Sequence, residues 1–313
     1  MIHKIAGLHH IRAIASSAQR NYEFYTKLLG LRLVKKTVNV DDPRAYHLYY
    51  GNKTGDPGTL LSILSWENIG PGYPGTGMAT EISFSVPPGS LESWKERLER
   101  FSAGYGEKDD GFGGEYLHCS DPDGLKFNLA ISCREDTRRG WHGSEVPETM
   151  AIKGLHSISL MVKSAEETAQ ILTDVFGYAL ADRKGNKSRF ITDAAADANI
   201  IDLVEMPDGP NGYVAGGTIH HVAFRVHSEE ALTFFREKIL SHGLSITPKS
   251  DIAYFSSFYF REPGGVLFEL SSDEPGLTAD ESVEDLGSHL QLPARLEYMR
   301  DKLEHILPPL HSR

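Results

Sequence analysis

The side chains best suited to chemistry in this sequence are two histidine doublets, His9-His10 and His220-His221, each set in a short apolar run. An imidazole can relay a proton near neutral pH or, when uncharged, bind a metal through a ring nitrogen. A lone strand histidine is more often a hydrogen-bonded core residue than a ligand. Two doublets at corresponding places argue for a shared purpose. Successive strand residues point to opposite faces, so only one member of each doublet can face a common centre directly. His10 and His221 are taken as those members because they align when the flanking segments are superposed, with His9 and His220 as the alternatives.

The flanking segments belong to a fourfold internal repeat. Gly7-Leu-His-His-Ile-Arg-Ala-Ile-Ala15, Gly77-Met-Ala-Thr-Glu-Ile-Ser-Phe-Ser-Val86, Gly154-Leu-His-Ser-Ile-Ser-Leu-Met-Val162 and Gly217-Thr-Ile-His-His-Val-Ala-Phe-Arg-Val226 all read as strands. Each is followed by a serine (Ser16 or Ser17, Ser90, Ser164, Ser228) whose hydroxyl can cap a helix, and Ser164-Ala-Glu-Glu167 fits a capping box. Apolar residues then recur at spacings of three and four, as in Tyr22, Tyr25, Leu28 and Leu29 or Leu232, Phe235 and Ile239. Each helix is expected to stop at Gly30, Gly104, Gly177 or Gly243, since glycine takes the left-handed C′ conformation cheaply. Two or three short strand-like runs follow, the last covering residues 59–65, 125–131, 200–205 and 266–271. Pro57-Gly58, Asp121-Pro-Asp-Gly124 and Pro263-Gly-Gly265 mark turns before three of them. The unit is βαβββ.

The repeats divide the chain into an N-terminal half, 1–133, with modules at 5–66 and 77–133, and a C-terminal half, 154–272, with modules at 154–206 and 217–272. A polar linker, 134–153, joins them. Residues 273–313 read as an acidic loop and a capping helix over 294–306. The length of 313 residues suits two such halves, and 40% apolar with 24% charged residues is ordinary for a globular protein. A net charge of −11 without basic clusters leaves nucleic acid an unsuitable partner. No apolar run is long enough to span a bilayer and the start lacks a secretory core, so a cytoplasmic location is expected. The two cysteines, Cys119 and Cys133, form no metal or disulfide motif and are expected to be reduced. Gly70-Pro-Gly-Tyr-Pro-Gly75 spells a dinucleotide pattern, but its prolines and lack of a following helix make it a linker.

Four βαβββ modules with these boundaries resemble the vicinal-oxygen-chelate superfamily, which includes glyoxalases and extradiol dioxygenases. The resemblance spans nearly the whole chain. It implies an α+β fold of four modules forming two paired-module cupped sheets, with metal ligands on the first and last strand of a module. Those positions are His10, Glu81, Ser157 and His221 on first strands, and Ser62, Asn128, Asp202 and Glu269 on last strands. An Fe(II) oxygenase uses two neutral imidazoles and one carboxylate on one face of the metal, with the opposite positions open. Pairing modules one and four supplies His10, His221 and Glu269, with Ser62 at the fourth corner. Pairing modules three and four would instead give Asp202, His221 and Glu269, a harder set suited to Mg²⁺ or Mn²⁺. Periodicity leaves both open.

Within the superfamily the chain most resembles bacterial hydroquinone ring-cleaving dioxygenases. The matching segments are Gly7-Leu-His-His-Ile11, Tyr46-His-Leu-Tyr-Tyr50, Pro57-Gly-Thr59, Ile219-His-His-Val-Ala-Phe224, Tyr259-Phe-Arg-Glu-Pro-Gly-Gly265 with Phe268-Glu269, and Leu307-Pro-Pro-Leu310. This resemblance implies Fe(II) on His10, His221 and Glu269, with Mn(II) or another divalent metal as the alternative. It implies a small aromatic diol and O₂ as partners, the metal lowering the pKa of the bound hydroxyl. Tyr259 would hydrogen-bond the substrate, and His9 and His220 would move a proton. Two residues depart from the branch: Ile252 stands where relatives often have Arg, and Arg12 where they have a small hydroxyl residue, which bears on the ring substituents accepted. A glyoxalase-like isomerase or lyase and a non-catalytic aromatic-sequestering protein are the competing expectations. Pairing of chains into a homo-oligomer, through sheet edges or the terminal helix, is left open.

Overall fold

The computed structural model describes residues 3–132, 134–252 and 254–312; Cys133 and the Ile252 side chain lie outside what is described. Its first module comprises strand β1 (Leu8–Ala15), helix α1 (Ala18–Glu23) and strands β2 (Arg32–Val38), β3 (Tyr46–Gly51) and β4 (Leu60–Ser65). The second runs through β5 (Met78–Val86), α2 (Leu91–Arg100), β6 (Tyr105–Asp109), β7 (Glu115–Ser120) and β8 (Lys126–Ile131). The third contains β9 (Gly154–Val162), α3 (Glu166–Gln170), β10 (Ala179–Lys184), β11 (Lys187–Ile191) and β12 (Ile200–Glu205). The fourth has β13 (Ile219–Val226), α4 (Glu229–Ser241), β14 (Ser250–Ile252), β15 (Phe255–Arg261) and β16 (Leu267–Pro275).

In every module the first strand lies parallel to the last, with the helix and two further strands between them in the chain. Each first strand also pairs antiparallel with the first strand of another module: β1 with β13, and β5 with β9. The result is two eight-stranded sheets, β14-β15-β16-β13-β1-β4-β3-β2 and β10-β11-β12-β9-β5-β8-β7-β6. Modules one and four thus share one sheet, and two and three the other. First strands sit mid-sheet, paired on both edges and buried on both faces, which is why they read as near-continuous apolar runs. A main core cluster draws on all four modules, and a smaller one of Val34, Tyr49, Leu60, Tyr254, Phe255, Leu277 and Leu286 belongs to the first sheet and the segment after β16.

Helix ends depart from the sequence expectation in instructive ways. Of the serines expected to cap helices, Ser228 alone among the described residues accepts a hydrogen bond from a helix amide, that of Ala231. In modules one and three the first-turn amides of Ala18 and Ala165 donate to the carboxylates of Glu67 and Glu205 instead. Glu67 lies just past the last strand of its module and Glu205 ends its own, and that strand's parallel pairing with the first brings its end beside the helix N-terminus, where negative charge is favoured. Gly30, Gly177 and Gly243 have the positive φ that ends a helix, but in module two Ser102, at φ 55°, takes that conformation before Gly104 is reached. Helices α1 and α3 each widen into a π turn, Phe24–Leu28 and Ile171–Val175. The terminal helix is a 3₁₀ turn, Ala294–Met299, followed by α5 (Arg300–Ile306).

The acidic segment is tied down by charge. Lys35 on β2 is wholly buried and binds Asp280 and Glu281, with its ammonium 4.7 Å from the centre of the Tyr254 ring. Tyr254 in turn donates to Asp280 at 2.8 Å. Cys119 is buried and unpaired. Among the described residues no helix is long and apolar enough to cross a membrane.

Candidate metal centre

The register of the sheets aligns the four modules. Each last-strand position lies opposite the residue two beyond its first-strand position: Ser62 opposite Arg12, Asn128 opposite Ser83, Asp202 opposite Ser159 and Glu269 opposite Ala223. Since alternate strand residues share a face, each first-strand residue and its last-strand counterpart look into the same cup. Sharing one sheet brings His10, His221 and Glu269 together. One donor atom from each lies within 4.8 Å of the others, and the three residues are 1%, 1% and 2% exposed.

Glu269 Oε2 stands 2.7 Å from His221 Nε2 and 3.3 Å from His10 Nε2. None of these three buried atoms makes a hydrogen bond of acceptable geometry. They converge on a common point rather than on one another, the arrangement expected of ligand atoms that share a cation, whereas an uncompensated cluster of buried polar atoms is costly. Burial, aided by the charge of Arg12, pushes the His221 pKa down to about 3, which keeps it in the neutral ligand form. Burial alone would raise the Glu269 carboxyl, but the facing imidazoles outweigh it and hold its pKa well below the carboxylate range.

Neighbouring groups fix the orientation of each ligand. His9 Nε2 is 3.1 Å from the Ser272 carbonyl oxygen, which only accepts, so that nitrogen carries the proton. Burial, with His10 next in weight, depresses the His9 pKa to about 3, so its Nδ1 is bare and accepts from His10 Nδ1–H at 3.0 Å. The His10 Nε2 lone pair is thereby left facing the cluster. On the other strand His220 Nδ1 and His221 Nδ1 are 2.9 Å apart, while His220 Nε2 makes no hydrogen bond among the described residues. Ser271 Oγ donates to Glu269 Oε1 at 2.9 Å and leaves Oε2 for the centre. The Tyr259 ring lies 5.2 Å from that of His221, and its backbone is paired directly with Glu269. Burial and the Glu269 charge raise the Tyr259 pKa, so the phenol remains a donor.

The fourth corner holds more than Ser62. Arg12 Nε donates to Ser62 Oγ at 3.2 Å, and its guanidinium is close enough to Tyr49 and Tyr259 for its charge to act on both phenols. His47 is 3.3 Å from the Tyr49 hydroxyl through Nδ1, and burial together with Arg12 lowers its pKa well below the ordinary value. Sequence reasoning passed over His47 and Tyr49 as site residues. Their signal was the alternation in Tyr46-His-Leu-Tyr-Tyr50, which puts residues 47 and 49 on one face of β3.

The second sheet contrasts sharply. Asp202, offered by the sequence as an alternative ligand beside His221 and Glu269, sits in the other cup, held by Arg189 through two bonds of 2.7 Å. Arg189 also binds Asp110 at 2.7 Å, so a guanidinium fills the middle of this cup.

Comparison with known proteins accords with this geometry. The Glyoxalase/Bleomycin resistance protein/Dioxygenase superfamily pattern matches residues 7–129 and 154–270. A Bacillus subtilis (strain 168) protein provisionally named ring-cleaving dioxygenase MhqE is 41% identical over 312 residues, covering 98% of this chain and all of its own. The chlorohydroquinone/hydroquinone 1,2-dioxygenase of Sphingobium indicum is 35% identical over 311 residues, covering 96% and 95%. The crystal structure of a provisionally assigned dioxygenase from Bacillus subtilis superposes with a TM-score of 0.95 at 38% identity, covering 100% of this chain and 99% of that one. Glyoxalase I of Zea mays shares the fold at a TM-score of 0.63, covering 85% and 92%, with 14% identity. By sequence and by fold, the chain belongs to the Glyoxalase/Bleomycin resistance protein/Dioxygenase superfamily.

Proposed function

We propose that this protein is a non-haem Fe(II), extradiol-type ring-cleaving dioxygenase that inserts O₂ into a hydroquinone-type aromatic diol in the cytoplasm. The observation that carries the reading is the convergence of three buried, unpartnered donor atoms from His10, His221 and Glu269. Two neutral imidazoles and one carboxylate are the donor set of Fe(II) oxygenases, and modules one and four together would form the site. The hydroquinone dioxygenase name of the Sphingobium relative supports the substrate class. When bound, the metal would supply Lewis acidity toward a ring hydroxyl and a place for O₂ beside it.

The protein's own groups would do the rest. His10, His221 and Glu269 hold the metal, and His9 and Ser271 orient two of those ligands. His220, whose Nδ1 accepts from His221 Nδ1–H, carries its own proton on Nε2 and offers it as a hydrogen bond to the reacting oxygen. Tyr259, kept protonated, donates a hydrogen bond to the bound oxygen substituent. Phe255, whose ring lies 6.2 Å from that of His10, and the apolar cluster around it exclude water from the site.

Oxygen consumption by anaerobically iron-loaded protein on addition of 2-methylhydroquinone, with catechol in parallel, tests this reading. About one O₂ per ring with loss of aromatic absorbance is expected. His10→Ala, His221→Ala and Glu269→Gln should each lose bound iron and turnover, because three ligands leave no redundancy. Iron retained in all three would sink the site. Enzyme-independent uptake alone, with iron bound, would point to a glyoxalase-like isomerase or an aromatic-binding protein.

A further inference from the structure

Arg12 is a cation without a carboxylate partner: among the described residues no acidic oxygen lies within 4.0 Å of its guanidinium, whereas Arg189 in the other cup binds two aspartates. A charge withdrawn from water and left unpaired is costly unless something else meets it. Its neighbours form a transverse row across the first sheet. Backbone register sets His221 beside Arg12, Arg12 beside Ser62, and Ser62 beside Tyr49. Adjacent strands are about 4.8 Å apart, so the row steps directly from a proposed metal ligand to a cation, a hydroxyl and a phenol.

Hydrogen-bond direction along this row can be worked out. Guanidinium groups only donate, so Arg12, which lies one residue across from Tyr49 over Ser62, can meet the Tyr49 hydroxyl only through that group's oxygen lone pairs. The Tyr49 proton is then free for His47 Nδ1 at 3.3 Å, which places the His47 proton on Nε2. His47 Nε2 is buried and has no partner. The corner thus presents one unpartnered neutral N–H donor, on His47, beside a guanidinium that no carboxylate within 4.0 Å neutralises.

We propose that Arg12, Tyr49 and His47 form a subsite for the second ring oxygen of the substrate, the one not on the metal, bound as a hydrogen-bond acceptor. This deepens the ring-cleavage reading and rests on it. A vicinal diol can bring both oxygens to the metal, whereas a para diol must send one of them elsewhere, and this corner receives it. Arg12 then becomes a determinant of specificity for diols whose oxygens are far apart, in a chain whose residue 252 is Ile.

The test is anaerobic calorimetric titration of the iron-loaded full chain with phenol, hydroquinone and catechol. A hydrogen bond to a charged donor is worth about 10- to 100-fold in affinity. Wild-type protein is expected to bind hydroquinone at least about 10-fold more tightly than phenol. Arg12→Met should abolish that preference, Tyr49→Phe should narrow it, and Arg12→Lys should restore part of it, while phenol affinity stays within about 3-fold. Circular dichroism and iron content confirm that each variant is folded and loaded, and Tyr49→Phe, which removes one oxygen, serves if Arg12→Met does not fold. Equal affinity of wild-type protein for phenol and hydroquinone, or an unchanged preference in both Arg12→Met and Tyr49→Phe, would overturn the subsite and leave ring cleavage standing. Failure of iron-loaded wild-type protein to bind any of the three rings would overturn both.

Discussion

Replacing His9 separates two roles that a histidine beside a metal ligand can play. Both of its nitrogens are committed, Nε2 to the Ser272 carbonyl and Nδ1 to His10, so its work is to hold the His10 ring in the tautomer whose Nε2 is bare. Losing such an orienting partner typically costs about 10- to 100-fold in metal affinity, or about 1.4–2.8 kcal/mol. His9→Phe fills the volume and provides neither bond, so competition with a chromophoric chelator under anaerobic conditions should show that full loss. His9→Gln offers a carbonyl to His10 and an amide to Ser272, and should retain iron affinity within about 5-fold, with turnover and its pH profile preserved. A His9→Phe variant that binds iron as wild-type protein does would refute the tautomer argument. Normal iron content in His9→Gln with lost turnover would assign His9 to proton transfer instead.

Other perturbations bear on the framework around the site. Asp121, buried between modules one and two, has its pKa pushed up to about 6 by burial and by Asp123, against bonds from two amides and from Tyr25. The folded state therefore holds a proton up to about pH 6 that the unfolded chain releases near 3.8, so this residue makes stability fall as pH rises through that window, by about 3 kcal/mol at most. Asp121→Asn should remove that component, and urea titrations at pH 4 and pH 7 giving the same difference between variant and wild type would contradict it. Lys35→Met should cost about 3–5 kcal/mol, since it strands the buried Glu281 carboxylate, and Glu281→Gln should cost less, since Asp280 still faces the ammonium. Combined as Lys35→Met with Glu281→Gln, the loss should be smaller than the sum of the two, and additive losses in a denaturation cycle would exclude the pair as a unit. Burial pushes the Cys119 thiol up to about 12, so a disulfide reagent at pH 8 should label Cys119 only after unfolding, as peptide mapping of the labelled chain would report.

Much of the architecture is legible because it is local chemistry repeated four times. Strand runs, helix faces and the glycine stops at Gly30, Gly177 and Gly243 each follow from residues within a few positions of one another. The exceptions have a common cause. Glu67 and Glu205 cap helices from the far end of their own modules, and Ser102 replaces Gly104 as the left-handed residue, because a contact or backbone path set by the sheet outweighs the local preference.

The same division runs through the candidate centre. From the sequence alone come the two doublets, the equivalence of His10 with His221, and Glu269 at the matching place on a last strand. Residue type and period are enough for that, since both are written in one dimension. Which modules share a sheet is a matter of strand pairing between residues more than 200 positions apart, and on that pairing depends whether Glu269 joins His10 or Asp202. The tertiary structure also decides what the neighbours do: His9 is tied at both nitrogens and His220 at one. Arg12 reads in sequence as an isolated cation in a strand; only the adjacency of β1, β3 and β4 surrounds it with Ser62, Tyr49 and His47 and withholds a carboxylate. Hydrogen bonds and charge act through space within a few ångströms, and it is the fold that chooses which residues stand that close.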